Sequence, residues 1–201
     1  TLIFLDFIQH ALTQLPTERC ALLVSPLMVI EQTIDECRKW YGDTLPIAQV
    51  RAADLGAWLE HGSSRFGITN YEALRERIEP GRLGALGLDE SSMLKSHYGK
   101  FGSECIRLGR GLDWKLAGTG TPAPNDRIEY ANHAVFLDEY PNVNAFLARY
   151  FVNRGQTSER WELKPHALAP FYRSLSHWCI FLSNPAIYGW SDNCGTLPPI
   201  H

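Results

Sequence analysis

The chain has 201 residues, 45% of them apolar, and a formal net charge of -3. That length buries a substantial core in one domain, the composition excludes a disordered chain, and the charge provides no global basic field for gathering nucleic acid. Its five cysteines (Cys20, Cys37, Cys105, Cys179 and Cys194) form no Cys-x-x-Cys pair, which argues against zinc and for a reduced, intracellular protein.

No apolar run reaches membrane-spanning length. The apolar opening, interrupted by Asp6 and without a basic leader, reads as a buried helix over residues 2–15, ended by Pro16, rather than as a signal peptide. Residues 20–25 form a short apolar run stopped by Pro26, the pattern of a strand buried on both faces. Ile30, Ile34 and Cys37 recur at helical spacing over residues 29–40. A second strand follows over 47–50, a short helix over 54–61, a third strand over 65–69, a helix over 71–78, a fourth strand over 83–88 and a fifth over 114–117. Helices are expected over about 127–137 and 143–150. Strands alternating with helices predict an α/β domain with a parallel sheet covered on both faces.

The character changes near residue 151. Residues 153–160 read as a polar surface loop, 163–182 as a helical stretch rich in aromatic residues, and 184–201, with their Pro, Gly and Asn, as irregular chain. The expected organisation is therefore an α/β domain over 1–150 and a helical to irregular C-terminal extension over 151–201. Core packing is the better reading of Trp161, Phe171, Tyr172, Trp178 and Trp190 than base stacking.

Two motifs fall at strand ends, where parallel sheets bind ligands. Leu88-Asp89-Glu90-Ser91-Ser92 closes the fourth strand. An acidic pair at the end of a buried strand is costly unless it meets a cation or hydrogen bonds. In a nucleotide hydrolase the first carboxylate holds Mg²⁺ through water, and the second orients and deprotonates the attacking water. The plainer alternative has Asp89 capping a helix and Glu90 in solvent. Thr119-Gly120-Thr121-Pro122-Ala123-Pro124-Asn125 follows the fifth strand. Its glycines permit a sharp turn, and the hydroxyls of Thr119 and Thr121 can link it to the acidic pair. Alone, it reads better as an ordinary Gly/Pro turn.

Ser25-Pro26-Leu27 and Thr69-Asn70-Tyr71 occupy strand-to-helix junctions, which can hold a phosphate or serve as routine caps. Lys95 and His97 lie beyond the acidic pair, facing a nucleic-acid backbone or solvent. His133, His166 and His177 lack metal-ligand spacing, so a hydrogen-bonded structural role is expected of them.

Taken in order, these motifs resemble the first RecA-like domain of a superfamily-two helicase of the Snf type, in the wider DEAD/DEAH-box group. Leu23-Val24-Ser25-Pro26-Leu27 with Glu31-Gln32 and Trp40 resembles motif Ia. Ile68-Thr69-Asn70-Tyr71-Glu72 resembles the T-x-Y-E segment, Leu88 to Ser92 the DExx box, and Thr119 to Pro122 motif III. Asn132-His133-Ala134, the run Trp161 to Ala167 and Leu197-Pro198-Pro199 are similar to the phage and prophage branch.

The resemblance implies a RecA-like P-loop NTPase fold and ATP hydrolysis with Mg²⁺. The implied partner is DNA, in duplex form, without a membrane, in the cytoplasm of a bacterium or a phage-infected host. It implies Asp89 on Mg²⁺, Glu90 as catalytic base, and Thr1, Asp89 and Glu90 at the nucleotide. Thr119, Gly120 and Thr121 would couple hydrolysis to domain movement, and Ser25, Pro26, Leu27, Thr69, Asn70 and Tyr71 would line the nucleic-acid track.

The Gly-Lys of the phosphate loop is absent, and Thr1 stands where that motif would end. The second RecA-like domain with its arginine finger is absent too. The chain is thus expected to be a fragment with little ATPase activity of its own, its sheet gapped where the strand before Thr1 belongs. The alternative is a non-catalytic module that keeps the fold and binds nucleic acid or protein.

Overall fold

The computed structural model describes residues 1–94, 100–121, 123, 126–155, 161–181, 186 and 189. The expectations placed on Lys95, His97, Pro122, Pro124, Asn125, Trp190 and the terminal motif at Leu197 lie outside the described residues.

Helix α1 spans Leu2–Gln14, strand β1 Cys20–Ser25, α2 Ile30–Tyr41, β2 Ile47–Gln49, α3 Leu55–His61 and β3 Phe66–Asn70. Strand β4 spans Leu83–Asp89, α4 Lys100–Gly109, β5 Trp114–Gly118, α5 Tyr130–Phe136 and α6 Val143–Tyr150. A hairpin of β6 (Phe151–Asn153) and β7 (Trp161–Leu163) precedes α7 (Leu168–Trp178).

Strands β1 to β5 form one parallel sheet in the order β2-β3-β1-β4-β5. The expected α/β class therefore holds. Among the described residues the sheet is continuous and shows no central gap, because β1 pairs directly with β4 and β4 with β5.

All six residues of β1 are buried, and successive side chains enter opposite faces of the sheet. Ala21 and Leu23 pack with Phe4, Leu5 and Ile8 of α1 and Ile30 and Ile34 of α2. Cys20, Leu22 and Val24 pack on the other face with Leu55 and Leu59 of α3 and Cys105 and Leu108 of α4. The connection leaving β1 thus runs over one face and the connection leaving β4 over the other. Neighbouring strands whose connections diverge in this way open a crevice at their carboxyl ends.

Helix α1 runs antiparallel to the strands. A β-carbon on Gly84, near the start of β4, would meet Leu15, while β-carbons on Gly87 and Gly118 would meet the ring of Phe4. The amino end of α1 therefore lies over the carboxyl ends of β4 and β5.

Two expectations change. The helix expected over 71–78 is only a 3-10 turn over Tyr71–Leu74. Glu104 Oε1 accepts from Ile78 N at 2.9 Å and Arg107 donates to Ile78 O, so α4 satisfies this backbone from outside. The helical stretch expected over 163–182 is shorter, with Trp161–Leu163 paired to Phe151–Asn153 as an antiparallel hairpin. Helices α5, α6 and α7 share one apolar cluster from Ala131 to Leu175, which straddles the expected boundary at 150. Phe171 is fully buried in it, whereas Tyr172 is exposed. Among the described residues no helix is long and apolar enough to cross a membrane.

Candidate functional site

The acidic pair stands at the crevice between β1 and β4. Asp89 is the last residue of β4 and pairs in register with Gly118 of β5. Ser25 closes β1 and is fully buried, and its Oγ donates to Asp89 Oδ2 at 3.0 Å. Tyr71 OH donates to the backbone oxygen of Asp89 at 2.8 Å. Burial, with the nearby Cys105, Asp89 and Glu90, pushes the Tyr71 phenol well above its ordinary range, so it remains a neutral donor.

Glu90 leaves the strand with φ at +53°. This left-handed conformation is disfavoured for a residue with a β-carbon and persists where neighbouring contacts fix it. Thr119, the first residue after β5, donates Oγ1 to Glu90 Oε1 at 2.6 Å and accepts from Thr121 N at 3.0 Å. The hydroxyl of Thr119 thus links the turn through the exposed Gly120 to the acidic pair. Asp89 and Glu90 are half-buried, open enough for water or an ion to reach them.

Thr1 is the N-cap of α1 and is exposed. Its carbonyl accepts from Phe4 N and Leu5 N at 3.0 and 3.2 Å, which leaves the N–H groups of Leu2 and Ile3 without helical partners. Amide donors and carboxylates therefore share one end of the sheet, as a polyphosphate with a hydrated cation requires.

The donor set also fits Mg²⁺. Among the described residues no group of three His, Cys, Asp or Glu side chains could cage a metal, but Mg²⁺ needs only one or two carboxylates beside phosphate oxygens and water. Burial pushes the thiols of Cys20 and Cys105 up to about 11 and about 12, which disfavours covalent chemistry by these two cysteines.

The expected nucleic-acid residues divide. Thr69 is buried and donates Oγ1 to Val50 O at 2.7 Å, Tyr71 is committed to Asp89, and Ser25 likewise. The hydroxyls of all three face inward, bonded within the fold. Asn70 caps the following turn, accepting from Ala73 N at 3.0 Å. Pro26 is half-buried and Leu27 is 64% exposed.

A groove of about 180 Å³ at the carboxyl ends of β1, β2 and β3 brings Leu27, Thr69 and Asn70 together with Gln49, Arg51 and Glu72. Arg51 escaped the sequence reading, although its place just after β2 could have signalled it. His133 and Asn132 are buried beside the acidic turn. Ser91 Oγ lies 3.0 Å from His133 Nε2, consistent with the expected structural role for this histidine.

No protein-family model matches the chain, and no curated protein matches it. Among solved structures, the SWI2/SNF2 ATPase core of Sulfolobus solfataricus, solved in complex with dsDNA, is similar to it at 17% identity and a TM-score of 0.50. The match covers 71% of this chain and 30% of that one. At this identity the likeness concerns the fold: the chain has the RecA-like α/β architecture found in that ATPase core.

Proposed function

We propose that the chain is the first RecA-like half of a DNA-dependent ATPase or translocase of the Snf type, in its phage and prophage branch, acting on duplex DNA in the cytoplasm. The supporting observation is the pair of hydrogen bonds that fix the acidic residues at the crevice, Ser25 to Asp89 and Thr119 to Glu90.

In this reading ATP lies with its phosphates toward Thr1 and the amino end of α1. Asp89 would hold Mg²⁺, its Oδ2 oriented by Ser25. Glu90 accepts the proton of the attacking water. Thr119, within the Gly120–Thr121 turn, transmits the state of Glu90 to the neighbouring loop. Bound Mg²⁺ neutralises charge that develops on the transferred phosphoryl group. DNA follows the groove beside Leu27, Asn70 and Arg51, where Pro26 shapes the rim. The match spans 30% of the solved neighbour, and in this reading a longer parent protein supplies the Gly-Lys phosphate loop and a second RecA-like half.

ATP hydrolysis with and without duplex DNA tests the reading, measured on the protein from the whole reading frame and on the 201-residue chain alone. DNA-stimulated turnover is expected from the former and almost none from the latter. Robust turnover by the short chain contradicts the missing-loop account. A folded whole protein with no turnover favours a module that binds nucleic acid or protein without catalysis.

A further inference from the structure

The acidic pair is followed at once by a 3-10 turn over Ser91–Leu94. Two consecutive residues of α5 grip this turn at both ends. Ser91 Oγ and His133 Nε2 lie 3.0 Å apart, with both residues almost completely buried. Asn132 Nδ2 donates to Leu94 O at 2.5 Å, also in the interior. His133 Nδ1 faces the backbone oxygen of Glu129 at 3.4 Å. An acceptor there places the imidazole proton on Nδ1, leaving Nε2 to accept from Ser91.

Buried polar groups cost folding free energy unless they are paired, and an apolar pair would fill the same space more cheaply. The position of this cluster gives it a purpose. Glu90 lies between two anchored residues: Tyr71 donates to the backbone oxygen of Asp89 on one side, and His133 meets the side-chain hydroxyl of Ser91 on the other. Both anchors flank its left-handed backbone, at φ +53°, a conformation that persists where neighbouring contacts fix it.

We propose that His133 and Asn132 are positioning residues for Glu90, acting through the Ser91–Leu94 turn. The inference rests on the ATPase reading and deepens it. Helix α5 follows the Thr119–Thr121 loop in the chain, so movement of that loop reaches Glu90 by two routes. One is the hydroxyl of Thr119 on the carboxylate. The other is α5 on the backbone beyond it.

The test compares DNA-stimulated ATP turnover of the protein from the whole reading frame in Ser91→Ala, His133→Leu, their double variant, His133→Gln and Glu90→Gln. Each single loss of the Ser91–His133 bond is expected to lower kcat about three- to tenfold with KM for ATP unchanged. The double variant should be no slower than the slower single one, and His133→Gln, which restores an acceptor near Nε2, should recover most of the rate. Ser91→Ala removes a single atom and serves as the variant whose fold is safest. Unchanged kcat in folded Ser91→Ala and His133→Leu, with Glu90→Gln inactive, overturns the positioning role and leaves the ATPase reading standing. Equal loss in His133→Gln and His133→Leu overturns it as well, because packing alone would then explain the effect. A wild-type protein without turnover overturns the ATPase reading and this inference with it.

Discussion

Ser25 and Asp89, 64 positions apart in the chain, are joined by a 3.0 Å hydrogen bond at the point where the connections leaving β1 and β4 diverge. The bond closes the floor of the crevice and orients one oxygen of the carboxylate assigned to Mg²⁺. Ser25→Ala removes it without removing charge. A hydrogen bond to a charged group contributes about 1.5–3 kcal/mol net, and the half-buried Asp89 places this one at the lower end. Its loss is expected to appear as a roughly tenfold rise in the Mg²⁺ concentration needed for half-maximal turnover, with kcat at saturating Mg²⁺ little changed. A Mg²⁺ titration of ATP hydrolysis reads the shift directly.

The seat of α1 depends on two glycines. A β-carbon at Gly118 would stand 2.8 Å from Phe4 Cζ, and one at Gly87 would stand 3.2 Å from Phe4 Cδ1. Gly118→Ala should therefore displace the ring and the first turn of α1, costing about 1–3 kcal/mol as overpacking does. Denaturant unfolding of the variant beside wild type measures the cost. A variant as stable as wild type would show that α1 does not press on the strand ends.

Acid should loosen the turn behind Glu90. Burial holds the His133 imidazole below its ordinary value of 6.5, outweighing the hydrogen bonds from Glu129 and Ser91 and the charge of Glu129, which act the other way. The folded state thus binds fewer protons than the unfolded one just below pH 6.5. The stabilisation from neutral His133 is complete above that value. It falls as pH drops toward the depressed folded value and levels off beneath it. Between pH 7.5 and 5.5 the melting temperature of wild type should fall further than that of His133→Gln, in which this group does not titrate. Equal falls in the two proteins would remove His133 from the account of acid sensitivity.

Arg51 supplies positive charge to the groove beside Leu27 and Asn70, where Glu72 is already ion-paired with Arg75 at 3.3 Å. If a DNA phosphate lies there, Arg51→Ala weakens binding about equally for all sequences and lowers the salt-dependence slope by about 1. Titration of a fluorescent duplex at several salt concentrations provides both numbers. An unchanged slope would place the DNA elsewhere.

The five strands of the sheet were legible from short, largely apolar stretches near Pro, Gly or charged residues; residues 20–25 matched β1 at both ends. The acidic pair and the Thr119 loop were legible as motifs, and the structure brings them together through a 2.6 Å bond. Other features depended on contacts distant in sequence. Residues 71–78 have helical composition, yet side chains of α4 satisfy the backbone of Ile78. Helix α4 itself is obscured by Gly102 and Gly109, and its buried Cys105 and Leu108 make too brief a stripe to read. The three-residue strands β6 and β7 are too short to show a period. Thr69 and Tyr71 looked like surface contacts because a sequence gives residue type without direction. Folding turns both hydroxyls inward. The grip of Asn132 and His133 on the acidic turn, across 38 and 42 positions, left no local signal.

The most direct measurement is of Glu90→Gln in the protein from the whole reading frame: ATP affinity and DNA-stimulated turnover, side by side with wild type. Glutamine keeps the size of the side chain and an oxygen for Thr119 but cannot take a proton from water. The expected result is ATP binding close to that of wild type, with kcat lowered by a factor of about 100 or more. Turnover by Glu90→Gln equal to that of wild type would contradict the central claim that the carboxylate held by Thr119 is the base that activates water.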